Sequence, residues 1–481
     1  MTAPGKLNGV FGGREITYTF SCDEVDVRTQ DGRPLGTQSV FSYIADHTLD
    51  EPSRRPVLFA FNGGPGSSSA FLHLSGIGPR RVAVPRDLSE GVHPPYLLED
   101  SPNCLLDVAD LVFIDPLNAG FGRSVPDADL TEPYSIEGDA RLFAEVITDW
   151  ITRHDRWDSP KFLMGESYGT HRAPFVATQL HGLRSITVDG LIFLGQALNV
   201  QETLQRPGNP VGMQAALPFY AAAAWFHGRG SRAHTTVDEA VDHAVEYAHG
   251  EFGALLLQGN RSRAEDRRRA AAHLEEITGI EAQRWLSSRF SIKKDEFRQS
   301  LLEQERKTLG MYDARYVSAT ADSGAGEAPI EAALSHLAPA WSAGLARHLR
   351  QDLGLDTGVP YRVMDVQAPA RWSWHDTWSQ QMNFTGQPSP FDTYAYVARL
   401  TQHLRRAPRS RLFIGTGHYD ALTTVGAVEH LLRQYDLPED RVVERRYPAG
   451  HMPYADPASL VALTGDLRSF ICLDKISQEE G

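Results

Sequence analysis

Three side chains that lie far apart in the chain have the types and the order needed for acyl transfer. Ser167 is centred in Gly165-Glu166-Ser167-Tyr168-Gly169, a Gly-x-Ser-x-Gly pattern. A serine hydroxyl is a poor nucleophile near neutral pH. It needs a base to take its proton and a third group to orient that base. Asp420 closes Gly415-Thr416-Gly417-His418-Tyr419-Asp420, and His451 sits in Pro448-Ala449-Gly450-His451-Met452. The chain order Ser, Asp, His is the one found where the nucleophile stands on a strand–turn–helix elbow. His418 is a second imidazole, but it precedes the acid and fits that order less well, so His451 is taken as the base. A tetrahedral intermediate also needs two donors aimed at its oxyanion. The backbone N–H of Tyr168 is one candidate. Gly64, in the glycine loop Asn62-Gly63-Gly64-Pro65-Gly66, is the other.

These groups need a scaffold, and the sequence around them describes one. Lys161-Phe162-Leu163-Met164 reads as a short buried strand before Ser167, and a helix is expected from Tyr168 to about Gly182. At so tight a turn, side chains at positions 165 and 169 would collide with the flanking strand and helix. Val57–Phe61, Leu111–Ile114 and Leu191–Leu194 are continuous apolar runs, as expected of strands buried on both faces, and Arg411–Gly415 reads as a further strand. Two earlier runs, 15–20 and 39–44, flank Asp31-Gly32 and suggest an antiparallel start to the sheet. Helices are expected over 138–152, 391–404, 424–435 and 456–470, and a last strand over 442–447. Strands alternating with amphipathic helices predict an α/β fold with a mostly parallel sheet covered on both faces. The alternation stops after Leu198. Residues 201–380 carry helical patterns at 236–249, 262–277 and 293–309, and Trp372, Trp374 and Trp378 cluster near the end of the block. The expected organisation is a core in two parts, 1–200 and 381–481, with 201–380 as a helical cap insertion.

Bulk properties exclude several functions. The formal charge of −14 argues against nucleic acid or anionic membrane as a partner. Cys22, Cys104 and Cys472 are three widely separated cysteines, without metal-ligand spacing and too few for a disulfide framework. No apolar run is long enough to span a bilayer, and no signal-peptide core appears at the N-terminus. A cytoplasmic protein without metal or cofactor, acting on a peptide or small acyl substrate, is the expectation, and nothing in the sequence forbids a homodimer.

The ordered set resembles the serine carboxypeptidases. The residues that carry the resemblance are Asn62-Gly63-Gly64-Pro65-Gly66-Ser67-Ser68, Gly78-Pro79, Phe113-Ile114-Asp115-Pro116, Gly120-Phe121-Gly122-Arg123-Ser124, Gly165–Gly169, Gly417–Asp420 and Gly450-His451-Met452. Tyr312-Asp313-Ala314-Arg315-Tyr316 and the tryptophan cluster are similar to the family's bacterial branch. The resemblance implies an α/β-hydrolase fold with a helical cap, and release of single residues from peptide C-termini through an acyl-enzyme. It also implies that Asn62, Gly63 and Glu166 grip the substrate carboxylate. A glutamate can hold a carboxylate only when one of the two is protonated. The chain departs from the family at Ala60, Ser67 and Thr170, and at Gly76, where a second glutamate is expected. The altered clamp keeps an esterase or acyltransferase using the same triad as the alternative. A binding module that kept the fold would be expected to lose a triad member.

Overall fold

The computed structural model describes residues 6–46, 54–84, 92–231, 233–320, 331–355, 358–375 and 394–479. Among them nine strands form one sheet: β1 (Leu7–Phe11), β2 (Arg14–Arg28), β3 (Pro34–Ala45), β4 (Val57–Phe61), β5 (Asp110–Ile114), β6 (Lys161–Glu166), β7 (Gly190–Leu194), β8 (Arg411–Gly417) and β9 (Val442–Tyr447). Their order is β1-β2-β3-β5-β4-β6-β7-β8-β9. The pairings β1–β2, β2–β3 and β3–β5 are antiparallel, and the rest are parallel.

The continuous apolar runs follow from burial on both faces. Leu58 and Ala60 of β4 join one core with Leu111, Phe113, Phe162, Met164, Ile192 and Leu194. Val57, Phe59 and Phe61 join the other with Val112, Ile114, Leu163, Leu191 and Phe193. Successive side chains point to opposite faces, so each strand feeds both layers. The second layer is closed by α1 (Ile136–Arg153) and α2 (Gly169–Arg184). Helix α1 begins at Ser135, whose side chain accepts from Gly138 N at 3.1 Å, and buries Leu142, Val146, Ile147 and Trp150.

The insertion has two parts. Helices α3 (Pro210–Phe226), α4 (Val237–His249) and α5 (Ala264–Thr278) enclose a third apolar core, which also takes in Tyr419, Ala421 and Val425 beside the β8 edge. Helix α6 (Ala332–Arg347) instead sends Leu337, Trp341 and Leu345 into the first core. The helix expected over 293–309 does not run through. Lys294–Ser300 is helical, the chain reverses, and Lys307–Leu309 pairs antiparallel with Val317–Ala319. Arg298 Nε donates to Leu309 O at 2.9 Å across the reversal, a contact that helical spacing in the sequence does not show. Downstream, α7 covers Val397–Arg406, later than the expected start, and residues 391–393 lie outside the described residues. Helices α8 (Val425–Gln434) and α9 (Pro457–Glu479) complete the core.

One buried ion pair ties α1 to α2. Arg172 Nε donates to Asp139 Oδ2 at 2.7 Å, with both side chains at most 5% exposed. Arg172 also donates to Asn62 O at 2.7 Å, and Tyr168 OH donates to Asp139 Oδ2 at 3.1 Å. Removing one partner leaves a buried charge uncompensated. Arg172→Met is expected to lower unfolding stability by about 3–5 kcal/mol in denaturant titrations. The double change Arg172→Met, Asp139→Leu should recover most of that loss, since neither charge then remains.

Candidate active site

Strand β6 ends at Glu166 and α2 begins at Gly169, so the turn between them is as short as the sequence suggested. Ser167 has φ 56°, in the left-handed region where a non-glycine residue is strained. Ser167 N donates to Leu194 O at 2.9 Å, and Thr170 Oγ1 donates to Ser167 O at 2.7 Å. A Cβ at Gly165 would overlap Gly169 O, and one at Gly169 would lie 2.9 Å from Phe61 O. The turn therefore closes only with glycine at both places. Ser167 itself is partly exposed at the C-terminal edge of the sheet.

Asp420 and His451 meet on the loops after β8 and β9. His451 Nδ1 lies 2.7 Å from Asp420 Oδ2, and both residues are buried. Leu422 N and Thr423 N donate to Asp420 Oδ1 at 2.7 and 3.0 Å. The Thr423 hydroxyl donates to Asp420 Oδ2 and lies 3.1 Å from His451 Nδ1. Burial alone would push the His451 imidazole down. The Asp420 carboxylate, with Glu166 behind it, outweighs burial and holds the ring above its ordinary pKa. His451 N donates to Tyr312 O at 2.6 Å, and the Tyr312 ring meets the imidazole edge-on at 5.4 Å.

Ser167 and His451 converge on one stretch of backbone. Ser167 N is bonded to Leu194 O, and the next residue, Gly195, faces the imidazole. A Cβ there would lie 2.9 Å from His451 Cε1 and 2.8 Å from Thr423 Oγ1. Among the described residues the Ser167 hydroxyl has no hydrogen-bond partner, so the structure joins Asp420 to His451 but does not close the serine onto the ring. His418 is engaged elsewhere. Its Nε2 lies 2.8 Å from Oδ1 of Asp238 on α4, where it fastens the insertion to the core, and burial lowers its pKa.

The glycine loop lies against the elbow. A Cβ at Gly63 would sit 2.5 Å from Tyr168 N, and Gly64 follows with φ 107°. Neither the Gly64 nor the Tyr168 amide donates to another group among the described residues. Asn62 Nδ2 donates to Glu166 Oε1 at 3.0 Å, while Asn62 Oδ1 accepts from Leu72 N at 3.1 Å. Burial raises the Glu166 pKa; the His451 charge and the donors on its oxygens oppose that rise. Gly76 has φ 109°, and a Cβ there would meet the Leu460 side chain at 2.5 Å. A glutamate at 76 would be strained by this backbone conformation and would require the Leu460 methyls to shift.

Trp372 and Trp374 fold back from the end of the insertion onto the Tyr168 ring, with centroids 5.1 and 5.7 Å away. Trp378 lies outside the described residues. Sequence reasoning gave Tyr312 no role at the site and missed Thr423, Gly195, Arg172 and Tyr454, the last of which donates its hydroxyl to Glu166 Oε2. Only the turn-forming Thr423-Thr424 next to Asp420 offered a local signal.

Residues 35–198 match the sequence model of the family described as "Serine carboxypeptidase". Over that segment the chain is similar to the serine carboxypeptidases. Curated relatives include "Serine carboxypeptidase-like 22" of Arabidopsis thaliana, 30% identical over 182 residues, 37% of this chain and 35% of that protein. Another is the "Pheromone-processing carboxypeptidase KEX1" of Yarrowia lipolytica, 26% identical over 158 residues, 32% of this chain and 24% of the relative. The chain thus aligns with about a third or less of these relatives' lengths. The matched segment holds the glycine loop and the elbow and ends before Asp420 and His451. Whole-chain likeness is to the crystal structure of Kex1Δp, a prohormone-processing carboxypeptidase from Saccharomyces cerevisiae. Its TM-score is 0.56 at 16% identity, over 96% of this chain and 92% of the other. The fold is that of the α/β-hydrolases.

Three substitutions separate the imidazoles and probe the fit around the base. His451→Ala is expected to cut turnover on the order of 10³-fold or more, and His418→Ala less than about 10-fold, in steady-state assays. Gly195→Ala should displace the His451 ring and lower kcat on the order of 10²-fold, with the melting temperature measured alongside.

Proposed function

We propose that this protein is a serine-type carboxypeptidase that releases C-terminal residues from peptides through an acyl-enzyme on Ser167. The reading is carried by the buried Asp420–His451 pair at 2.7 Å, on the sheet edge that presents the strained Ser167. Its Nδ1 donates to Asp420, so the neutral imidazole keeps its lone pair on Nε2. Nε2 takes the Ser167 proton as Oγ attacks the scissile carbonyl. The oxyanion that forms is received by the free amides of Gly64 and Tyr168. The imidazolium, stabilised by Asp420, then protonates the leaving amine. Water attacks the acyl-serine with His451 again as base, which restores the hydroxyl. In this reading Asn62, Gly63 and Glu166 hold the terminal carboxylate of the substrate, with the proton between the two carboxyl groups residing on Glu166.

Gly76 supports a second reading. The position has no acidic side chain and Leu460 fills the adjoining space, which suits an esterase or acyltransferase whose substrate carries no terminal carboxylate.

Matched peptides with free and amidated C-termini distinguish the two. The free acid is expected to turn over faster, with Ser167→Ala removing activity by on the order of 10³-fold or more. Equal turnover of the amide or an ester would sink the carboxypeptidase reading and leave the serine hydrolase. The pH dependence has two limbs with opposite signs. A protonated His451 cannot accept the serine proton, so kcat rises with pH through a pKa held above the ordinary imidazole value. Binding of a free acid weakens as pH rises through the raised Glu166 pKa, so KM climbs for the acid but not for the amide.

A further inference from the structure

Glu166 is buried, adjoins the nucleophile, and has both carboxyl oxygens occupied. Asn62 Nδ2 donates to Oε1 at 3.0 Å. The hydroxyl of Tyr454, a residue 3% exposed on the short turn after His451, donates to Oε2. The groups facing Glu166 are the His451 imidazole, the Asp420 carboxylate behind it, and the phenols of Tyr454 and Tyr312. Lys294, between β7 and β8, also acts on His451, and its Nζ donates to Leu422 O at 3.3 Å. Among the described residues the Tyr454 hydroxyl is the one donor to Oε2.

We propose that Tyr454 is a positioning residue that orients the Glu166 carboxyl and favours its ionised form, where position 76, a glycine, offers no acidic partner. The inference rests on the carboxypeptidase reading for its kinetic consequence, but the Tyr454–Glu166 contact does not. The physical distinction is the source of the proton. Two carboxyl groups share a proton that is lost as pH rises. A phenol keeps its own, and burial beside Glu166 holds the Tyr454 hydroxyl protonated far into the alkaline range. The contact therefore persists across the working pH. A hydrogen bond to the charged form of an acid lowers its pKa. Tyr454 thus caps the rise that burial imposes on Glu166 and sets the pH above which a free carboxylate is refused.

The test is Tyr454→Phe, which removes one oxygen and keeps the ring. The Glu166 pKa is expected to rise by about one unit, the loss of one hydrogen bond to the charged form. The climb of KM with pH for a free-acid peptide should move up by the same interval, with the KM of the amidated peptide little changed. Equal changes in KM for acid and amide, or a free-acid profile that coincides with the parent, would overturn the proposal. An infrared titration of the carboxyl band in the Ser167→Ala background, assigned by its disappearance in Glu166→Gln, reads the same shift without turnover. If the protein proves not to be a carboxypeptidase, that band still decides. A band that moves upward in Tyr454→Phe upholds the role of the tyrosine, and one that stays in place refutes it.

Discussion

Ser167 is held at φ 56°, a conformation that costs a non-glycine residue about 1–3 kcal/mol. The surrounding structure has to over-determine that turn, and most of the core near the site is arranged to do so. Leu194 O takes the Ser167 amide from the neighbouring strand, and the Thr170 hydroxyl bonds the Ser167 carbonyl from the helix. Arg172, one turn into α2, holds α2 to α1 through Asp139 and to the glycine loop through Asn62 O. The ion pair that fixes the helix thus also fixes the loop offering Gly64. The elbow and the candidate oxyanion donors are one rigid unit.

The charges about the site oppose the penalty of burial in sequence. Asp420 is fully buried, and its carboxylate is met by two backbone amides, the Thr423 hydroxyl and the imidazole. His451 would lose its proton readily in so dry a place but for Asp420 and Glu166. Glu166 in turn is steadied by Asn62 and Tyr454. Asp420, His451 and Glu166 are each paired, as low dielectric demands. A change at one end of the series alters the titration of the next group along it.

The insertion takes part in both the fold and the site. Its first helices share an apolar core with Tyr419, Ala421 and Val425, the residues around Asp420, and Asp238 clasps His418. Tyr312 supports the His451 backbone. Trp372 and Trp374 lie over Tyr168. The end of the insertion thus reaches the residue after the serine, and its middle reaches the base.

Much of this could be read from the chain alone. Apolar runs of four or five residues marked the parallel strands, because a strand covered on both faces needs no polar side. Glycines at 165 and 169 marked the elbow, because only they permit its closure. The order of Ser167, Asp420 and His451 indicated which loops should meet. Local pattern did not reveal the reversal after Ser300, where charge-rich residues with helical spacing yield to a strand pairing with Val317–Ala319. It did not separate α6, which packs into the sheet core, from the helices before it. Nor did it reveal Tyr454 beside Glu166, Gly195 beside His451, or Leu460 against Gly76. Those are contacts between segments distant in sequence, set by how loops and layers pack, and no spacing rule within one segment encodes them. Residue types and their order in the chain determined the chemistry available; the tertiary structure decided which groups face one another and in what state of charge.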